Sequence, residues 1–283
     1  SIVMMMTGKT LENFFAKERT EAASVTEREK VLEVTGVKSS DKKLQKADFT
    51  LYKGEILGIA GLLGSGRTEL VKAIFRAERH SGGDLVLNGR KLRIRNPKEA
   101  VRNGIALLPE DRKAEGLLLG MDIMNNIAIS SMGLVSRLAF INNRKRDHLA
   151  QDMSAKLQVK STGIRQVVKF LSGGNQQKVV FAKWLASNPK VLMLDDPTRG
   201  VDVGAKHEMY GLIRELANQG IGIIFISSEM PEVVGVSDRV LVMRNGRIVS
   251  EVREEAITEN NLMLIATGKK ITGNPAITNY ATE

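Results

Sequence analysis

Two short glycine-rich segments of the sequence could bind phosphate groups. The first, Gly61-Leu-Leu-Gly-Ser-Gly-Arg-Thr68, follows a buried-strand pattern and precedes a helical pattern over Glu69–Ala77. A G-x-x-x-x-G-K-[ST] phosphate loop requires this context, because its glycines let backbone N–H groups converge on phosphate oxygens beside a positive helix end. Taken alone, the segment is also compatible with an ordinary glycine-rich turn. The residues predicted to contact a nucleotide are Gly61, Gly64, Ser65, Gly66, Arg67 and Thr68.

The second segment, Leu171-Ser-Gly-Gly-Asn-Gln-Gln-Lys178, places Ser-Gly-Gly at the start of a helix. Such a start is a second anion-binding N-terminus, far from the first in sequence. Two phosphate sites on one domain suggest a shared nucleotide. Here the predicted contacts are Ser172, Gly173, Gly174 and Gln176.

A pair of carboxylates, Asp195 and Asp196, follows the apolar run Val191–Leu194. With this pair, the two segments resemble those of ABC-type ATPases, in which the phosphate loop of one domain and the LSGGQ-type signature of its partner close around ATP. The resemblance implies that Asp195 and the Thr68 hydroxyl hold Mg²⁺ and that Asp196 polarises the attacking water. It also places Asp202 at the dimer seam. The carboxylate pair could instead cap the following turn.

Four residues depart from that family's pattern. Arg67 replaces a lysine, and its planar fork is less suited than an ammonium to sit between the β- and γ-phosphates. Asp196 is one methylene shorter than the usual glutamate, and a displacement of about one ångström can cost roughly a hundredfold in rate. Glu110 aligns with the glutamine that senses Mg²⁺ and the γ-phosphate, and Ser228 aligns with a histidine. We therefore predict a weakened catalytic site beside an intact signature.

Over residues 30–270 the chain resembles the C-terminal half of ribose- and galactose-type importer ATPases. The matching segments are Gly54–Leu70, Pro109–Lys113, Leu171–Lys178 and Pro197–Lys206. This resemblance implies ATP and Mg²⁺ as cofactors, a second nucleotide-binding domain bound head-to-tail, membrane permease subunits and, indirectly, an extracytoplasmic sugar-binding protein. Two alternatives stay open: a regulatory module that binds ATP without cleaving it, and an ABC ATPase that acts on nucleic acid.

The elements that must position these residues can be read from apolar patterns. Buried strands are predicted at Ile56–Gly61, Gly104–Leu108, Val191–Leu194 and Gly222–Ile226, separated by helical stretches as in a parallel sheet. Asn245-Gly246 predicts a hairpin. These patterns predict an α/β fold with a mainly parallel core sheet. The resemblance implies a P-loop NTPase of ABC type that also has an antiparallel β subdomain and a helical signature subdomain.

Domain boundaries are predicted around one nucleotide-binding domain at 30–270, whose helical subdomain spans about 112–186. Residues 1–29 read as the tail of a preceding domain plus a linker, because Ile2–Lys9 echoes Leu262–Lys269. Residues 271–283 are predicted to be a flexible tail. The Met-rich segment Leu117–Ile129 fits either a core helix or a surface that faces the permease.

Composition limits the class of protein. The chain has 283 residues, no cysteine, 42% hydrophobic residues and a net charge of +10. This charge is dispersed and aromatic residues are only 4%, which disfavours nucleic acid as a partner. No window approaches the length of a membrane-spanning helix and there is no cysteine, so we expect a cytoplasmic protein. The resemblance implies that it is peripheral on the inner face of the cell membrane.

Overall fold

The computed structural model describes residues 29–78, 80–137 and 140–280. The predicted tail of a preceding domain, apart from residue 29, lies outside these residues, and so does the first member of the predicted echo. The strands are β1 (Lys30–Ser39), β2 (Ala47–Tyr52), β3 (Ile56–Gly61), β4 (His80–Leu87), β5 (Arg90–Lys91), β6 (Ile105–Leu108), β7 (Ser136–Arg137), β8 (Phe140–Ile141), β9 (Val191–Asp195), β10 (Gly222–Ile226), β11 (Arg239–Arg244), β12 (Arg247–Arg253) and β13 (Ile277–Asn279).

Helices separate most of the strands. They are α1 (Arg67–Phe75), α2 (Pro97–Arg102), a π-helix (Arg112–Gly116), α3 (Ile123–Ala128), α4 (Met132–Val135), α5 (Asn143–Lys156), α6 (Gly173–Leu185), α7 (Val203–Asn218), α8 (Met230–Val236) and α9 (Glu259–Ala266). Among the described residues, no helix has both the length and the apolar character that crossing a membrane would need.

The main sheet has the strand order β13-β12-β11-β3-β10-β9-β6. Strands β11, β3, β10, β9 and β6 are parallel, and β12 and β13 join one edge in antiparallel pairing. A second, antiparallel sheet has the order β2-β1-β4-β5. The predicted fold class is therefore confirmed, including the parallel core and the antiparallel subdomain.

Alternation along β3 shows how the core divides into two layers. Ile56 and Ala60 pack with residues of α6 and α7 on one face of the main sheet. Leu57 and Ile59 pack on the other face, with α1 and the antiparallel sheet. A central strand buried on both faces must be apolar throughout, which explains the continuous apolar run in the sequence.

Residues 112–186 are mainly helical, and the Met-rich segment belongs to them. Ile123, Met124 and Ile127 of α3 are buried, so α3 is a core helix. The residues on either side of α3 are less buried, since Met121 and Ile129 are about half exposed.

The C-terminal end of the chain corrects one prediction. Instead of a flexible tail starting at residue 271, residues 277–279 form β13, which pairs with Ser250–Val252 of β12. The Tyr280 hydroxyl also donates a hydrogen bond to Glu251 at 2.9 Å. The predicted hairpin at Asn245-Gly246 is confirmed as the β11–β12 connection, with Asn245 and Gly246 both in the left-handed region.

A buried ion network joins the two sheets. Arg239 on β11 donates to Glu55 at 2.7 Å, to Glu251 at 3.0 Å and to the Thr50 carbonyl at 2.6 Å. All three charged side chains are almost fully buried. Burial opposes ionisation of Glu251, but Arg239 and the hydrogen bonds from Arg253 and Tyr280 outweigh it and hold its pKa below the ordinary value.

Candidate nucleotide-binding site

The predicted phosphate loop connects β3 to α1 at the carboxyl end of the parallel sheet. Gly64 and Gly66 have φ values of 76° and 100°, a backbone conformation that other residues rarely adopt. A Cβ on Gly66 would also approach the Lys43 carbonyl to 3.0 Å. In the described part of the chain no side chain caps α1, and the buried Ser65 hydroxyl has no hydrogen-bond partner. The loop thus presents uncapped N–H groups and a hydroxyl to an anion.

Arg67 does not extend freely from this loop. Its Nη1 donates a hydrogen bond to the Ser227 carbonyl, 2.8 Å away at the end of the adjacent strand β10. Burial lowers the pKa of its guanidinium, although Asp196 and Asp195 act in the opposite direction. A nucleotide phosphate in the loop would have to share or displace this contact.

Asp195 ends β9 and is 2% exposed. Burial raises the pKa of its carboxyl to about 6, although a hydrogen bond from Thr68 counteracts that rise. The structure therefore brings together the two residues that were predicted to hold Mg²⁺. An ionised Asp195 would offer a cation a strong, poorly solvated oxygen ligand.

Asp196 and Ser228 face each other across the ends of β9 and β10. Asp196 has a φ of 46°, which aspartate tolerates better than most residues. Its Oδ1 accepts a hydrogen bond of 2.6 Å from the Ser228 backbone N–H. The carboxylate predicted to polarise water is thus engaged by the backbone N–H of Ser228.

Glu110 follows β6 and forms an ion pair with Arg199, in the turn after Asp196. Both side chains are largely exposed. The next arginine, Arg112, donates hydrogen bonds to the carbonyls of Arg199 at 2.5 Å and Gly200 at 3.2 Å. The segment after β6 is therefore attached to the turn after β9.

The predicted signature begins α6. Ser172 is its exposed N-cap and accepts a hydrogen bond from the Asn175 side chain at 2.9 Å. A Cβ on Gly173 would lie 3.0 Å from the Gly200 carbonyl, and one on Gly174 would lie 3.0 Å from the Ala205 methyl group. Asp202 caps α7 by accepting from the Ala205 N–H at 3.0 Å. The signature and the Asp202 turn therefore lie side by side in one domain.

Comparison with known proteins agrees with this geometry. A family model described as "ABC transporter" matches residues 44–199, more than half of the chain. The chain belongs to the ABC transporter family. The match begins before the phosphate loop and ends in the turn after Asp196, so it includes both the loop and the signature of this ABC domain.

Curated relatives of the ABC domain are import ATP-binding proteins. It is 44% identical over 267 residues to a ribose import ATP-binding protein of Agrobacterium fabrum, covering 94% of this chain and 52% of the relative. It is 45% identical over 271 residues to a xylose import ATP-binding protein of Moorella thermoacetica, covering 95% of this chain and 54% of the relative. The chain thus spans about half the length of the curated relatives it matches.

Solved structures support the fold. A nucleotide-free ATP-binding cassette from an ABC transporter superposes with a TM-score of 0.71 at 23% identity, covering 83% of this chain and 95% of that one. A dimeric ATP-binding cassette bound to ADP and Pi superposes with a TM-score of 0.67 at 18% identity, covering 78% and 98%.

The side chain of Gln176, one of the predicted nucleotide contacts, is directed into the interior of the ABC domain and not toward its surface. It is 5% exposed, and its amide donates to the Val168 carbonyl at 3.3 Å inside the helical subdomain. The fifth signature position is Asn175, which sequence reasoning passed over. Asn175 accepts from the Lys160 N–H at 2.7 Å and bonds Ser172. Counting from Leu171 as the first signature residue could have identified it.

A buried polar network centred on Glu232 lies next to the turn after Asp196, and it was not predicted from the sequence. Glu232 on α8 accepts hydrogen bonds of 2.6 to 2.8 Å from the side chains of Thr198, Lys206, Tyr210 and Ser227. Burial disfavours the charged form of Glu232, but these donors outweigh it and lower its pKa. The network fixes the turn and the end of β10 relative to each other. Its members are scattered in sequence, so no local pattern shows it.

Proposed function

We propose that this domain binds ATP in an import ATPase and helps to energise uptake of a monosaccharide. Its relatives are named for ribose and xylose import, and it corresponds to about half of their length. In this proposal it is the second of two nucleotide-binding domains. It supplies an intact signature to the phosphate loop of the other domain, while its own phosphate-loop site turns over slowly.

The asymmetry between the two surfaces of this domain carries the proposal. On the signature side, Ser172 is exposed at the start of α6. On the phosphate-loop side, Arg67 is bonded to the Ser227 carbonyl and Asp196 to the Ser228 amide. No imidazole stands at position 228. One surface is therefore ready to bind phosphate, whereas the other lacks the usual catalytic groups.

The residues present fit MgATP. Mg²⁺ prefers oxygen ligands, keeps several waters and often takes only one or two protein ligands besides substrate phosphates. The Asp195 carboxylate and the Thr68 hydroxyl provide such a set, and they lie beside the phosphate loop. Bound Mg²⁺ would neutralise phosphate charge. Ser65, Arg67 and the N-terminus of α1 would orient the phosphates.

The assembly follows from this division of roles. ATP held between the phosphate loop of one domain and the signature of the other would close the pair, and hydrolysis would reopen it to drive membrane permease subunits. A sugar-binding protein would deliver the sugar from the other side of the membrane. The domain would then lie on the inner face of the cell membrane.

Phosphate release from MgATP tests the proposal. The purified chain should bind a labelled ATP analogue and release little phosphate, because its own site lacks the catalytic groups. Release is followed against protein concentration, with binding measured in parallel. Release that rises faster than linearly would contradict the slow-site proposal, because two copies would then hydrolyse ATP together. Absence of analogue binding would contradict the whole proposal.

Repair of the catalytic groups should raise turnover. The double variant Asp196→Glu/Ser228→His restores the carboxylate length and the imidazole, and general-base assistance contributes roughly 10²–10⁴-fold in enzymes. We expect at least about a tenfold faster phosphate release than from the unsubstituted chain. Asp196→Glu alone serves as the control. An equally slow double variant with normal ATP binding would favour the non-hydrolysing regulatory module, in which Asp196 serves the turn and not catalysis.

A further inference from the structure

Arg112 lies against the signature of its own domain. An ideal Cβ on Gly173 would be 2.9 Å from Arg112 Nη2, so the guanidinium lies within contact distance of Gly173. Two of its N–H groups are used by the Arg199 and Gly200 carbonyls. Its Nε is buried and has no partner among the described residues. The two hydrogen bonds therefore orient the guanidinium, which lies next to Gly173, the first residue of α6.

The π-helix that carries Arg112 is held at several points. Asp111 caps it by accepting hydrogen bonds from the backbone N–H groups of Lys113 and Ala114. Lys72 of α1 pairs with Glu115 at 3.4 Å, and Lys183 of α6 donates to the Gly116 carbonyl at 2.5 Å. Arg112 thus projects from a segment that is fixed to both the phosphate-loop helix and the signature helix. Such positioning lowers the cost of ordering a ligand-binding group.

In the described part of the chain no carboxylate bonds the Arg112 guanidinium, and the neighbouring Asp111 acts on its charge without forming an ion pair. Among the residues that the structure describes, no ion pair includes Arg112, whereas Arg239 and Arg214 each pair with a carboxylate. Burial lowers its pKa, which indicates that the guanidinium is partly removed from water. Arg67 is likewise half-buried and hydrogen-bonded to a carbonyl, although the charges of Asp196 and Asp195 act on it. One such guanidinium lies at the phosphate loop, and the other lies at the signature.

We propose that Arg112 is a nucleotide-binding residue that acts across the domain interface, contacting the terminal phosphate of the ATP held by the opposing domain. This inference rests on the proposed head-to-tail assembly. The free N–H groups of the guanidinium and the N-terminus of α6 would meet the same anion. A charge-assisted hydrogen bond in a partly desolvated position is stronger than a neutral one.

Association of the chain with itself in the presence of nucleotide tests this inference. Analytical ultracentrifugation would give the dimer dissociation constant with ATP and with ADP, in the presence of EDTA to prevent hydrolysis. Arg112→Gln should weaken ATP-promoted association about 10- to 100-fold and leave association with ADP unchanged, because only ATP has the terminal phosphate. Arg112→Lys keeps the charge but not the planar fork. Its dimer dissociation constant with ATP should lie between those of the unsubstituted chain and Arg112→Gln.

Lys113→Gln is the matched control, because it removes one positive charge from the next, exposed position of the same π-helix. It should associate like the unsubstituted chain. Melting temperatures of all variants check the fold. Equal losses with ATP and ADP, or no loss in Arg112→Gln, would overturn the role of Arg112. An unsubstituted chain that binds ATP but never associates would overturn the inference as tested on two copies of this chain, whereas failure to bind the ATP analogue would overturn the proposed function.

Discussion

The Asp195→Asn variant should lose Mg²⁺-dependent nucleotide binding and at the same time become more stable. An amide cannot replace the buried carboxylate as a strong metal ligand, so Mg²⁺-dependent affinity should fall at least about 10–100-fold, the cost of losing even an outer-shell partner. Equilibrium binding of a labelled ATP analogue, with and without Mg²⁺, measures this loss.

The gain in stability follows from the pKa of Asp195. Burial raises that pKa from 3.8 to about 6, so the folded state resists its ionisation. Native Asp195 therefore lowers the free energy of unfolding progressively as pH rises between these two values, and the cost is complete above pH 6. At pH 7.5 the variant should be more stable by about 2–3 kcal/mol, with little difference below pH 4.

Urea unfolding at several pH values would measure this difference. Asp84→Asn is a matched control, because Asp84 is exposed and pairs with Lys91 on the surface. It should change neither binding nor the pH dependence of stability. A stability difference between the Asp195→Asn variant and the unsubstituted chain that is no larger at pH 7.5 than at pH 4 would contradict the burial cost of Asp195.

Loss of Arg239 should cause the largest loss of stability. Arg239→Ala leaves the carboxylates of Glu55 and Glu251 buried without their main counter-charge. Breaking a buried ion pair in this way costs about 3–5 kcal/mol, because an uncompensated charge stays in the interior. Urea unfolding at pH 7.5 would measure the loss. At lower pH the loss should be smaller, because Arg239 helps to hold the pKa of Glu251 low and without it that buried carboxyl binds a proton more readily.

Arg253→Ala separates this effect from simple loss of a charge. Arg253 also bonds Glu251, but its side chain is 41% exposed, so its removal should cost less than about 1 kcal/mol. Combining Arg239→Met with Glu55→Gln and Glu251→Gln should recover much of the loss. Equal effects of the two arginine substitutions would show that burial of the network is unimportant.

Features that are encoded by neighbouring residues could be predicted from the sequence. The buried strands and the Asn245-Gly246 hairpin were predicted because an apolar run and a turn dipeptide are encoded in adjacent residues. Thr68 and Asp195 each lie in a local motif, and the parallel sheet brings them together at one edge, while their binding of Mg²⁺ stays a prediction. The contact between Arg67 and the Ser227 carbonyl could not be predicted, since a backbone acceptor leaves no mark in the sequence.

Two errors have similar causes. Gln176 was assigned to the nucleotide because it lies within a recognisable motif, but the helical repeat turns that position toward Val168 and the interior. β13 was missed because three residues, Ile277-Thr-Asn, give too little alternation to predict a strand. Its pairing is determined by the exposed edge of β12 and not by its own propensity.

The short strand β13 covers part of one edge of the main sheet. By pairing with Ser250–Val252, β13 occupies backbone donors and acceptors that β12 would otherwise present at the edge of the main sheet. An open edge of this kind is a template for strands of other molecules. A chain ending at residue 270 would keep the nucleotide-binding residues intact and yet expose that template. Pairing with β13 therefore leaves less of the β12 edge open to strands of other molecules.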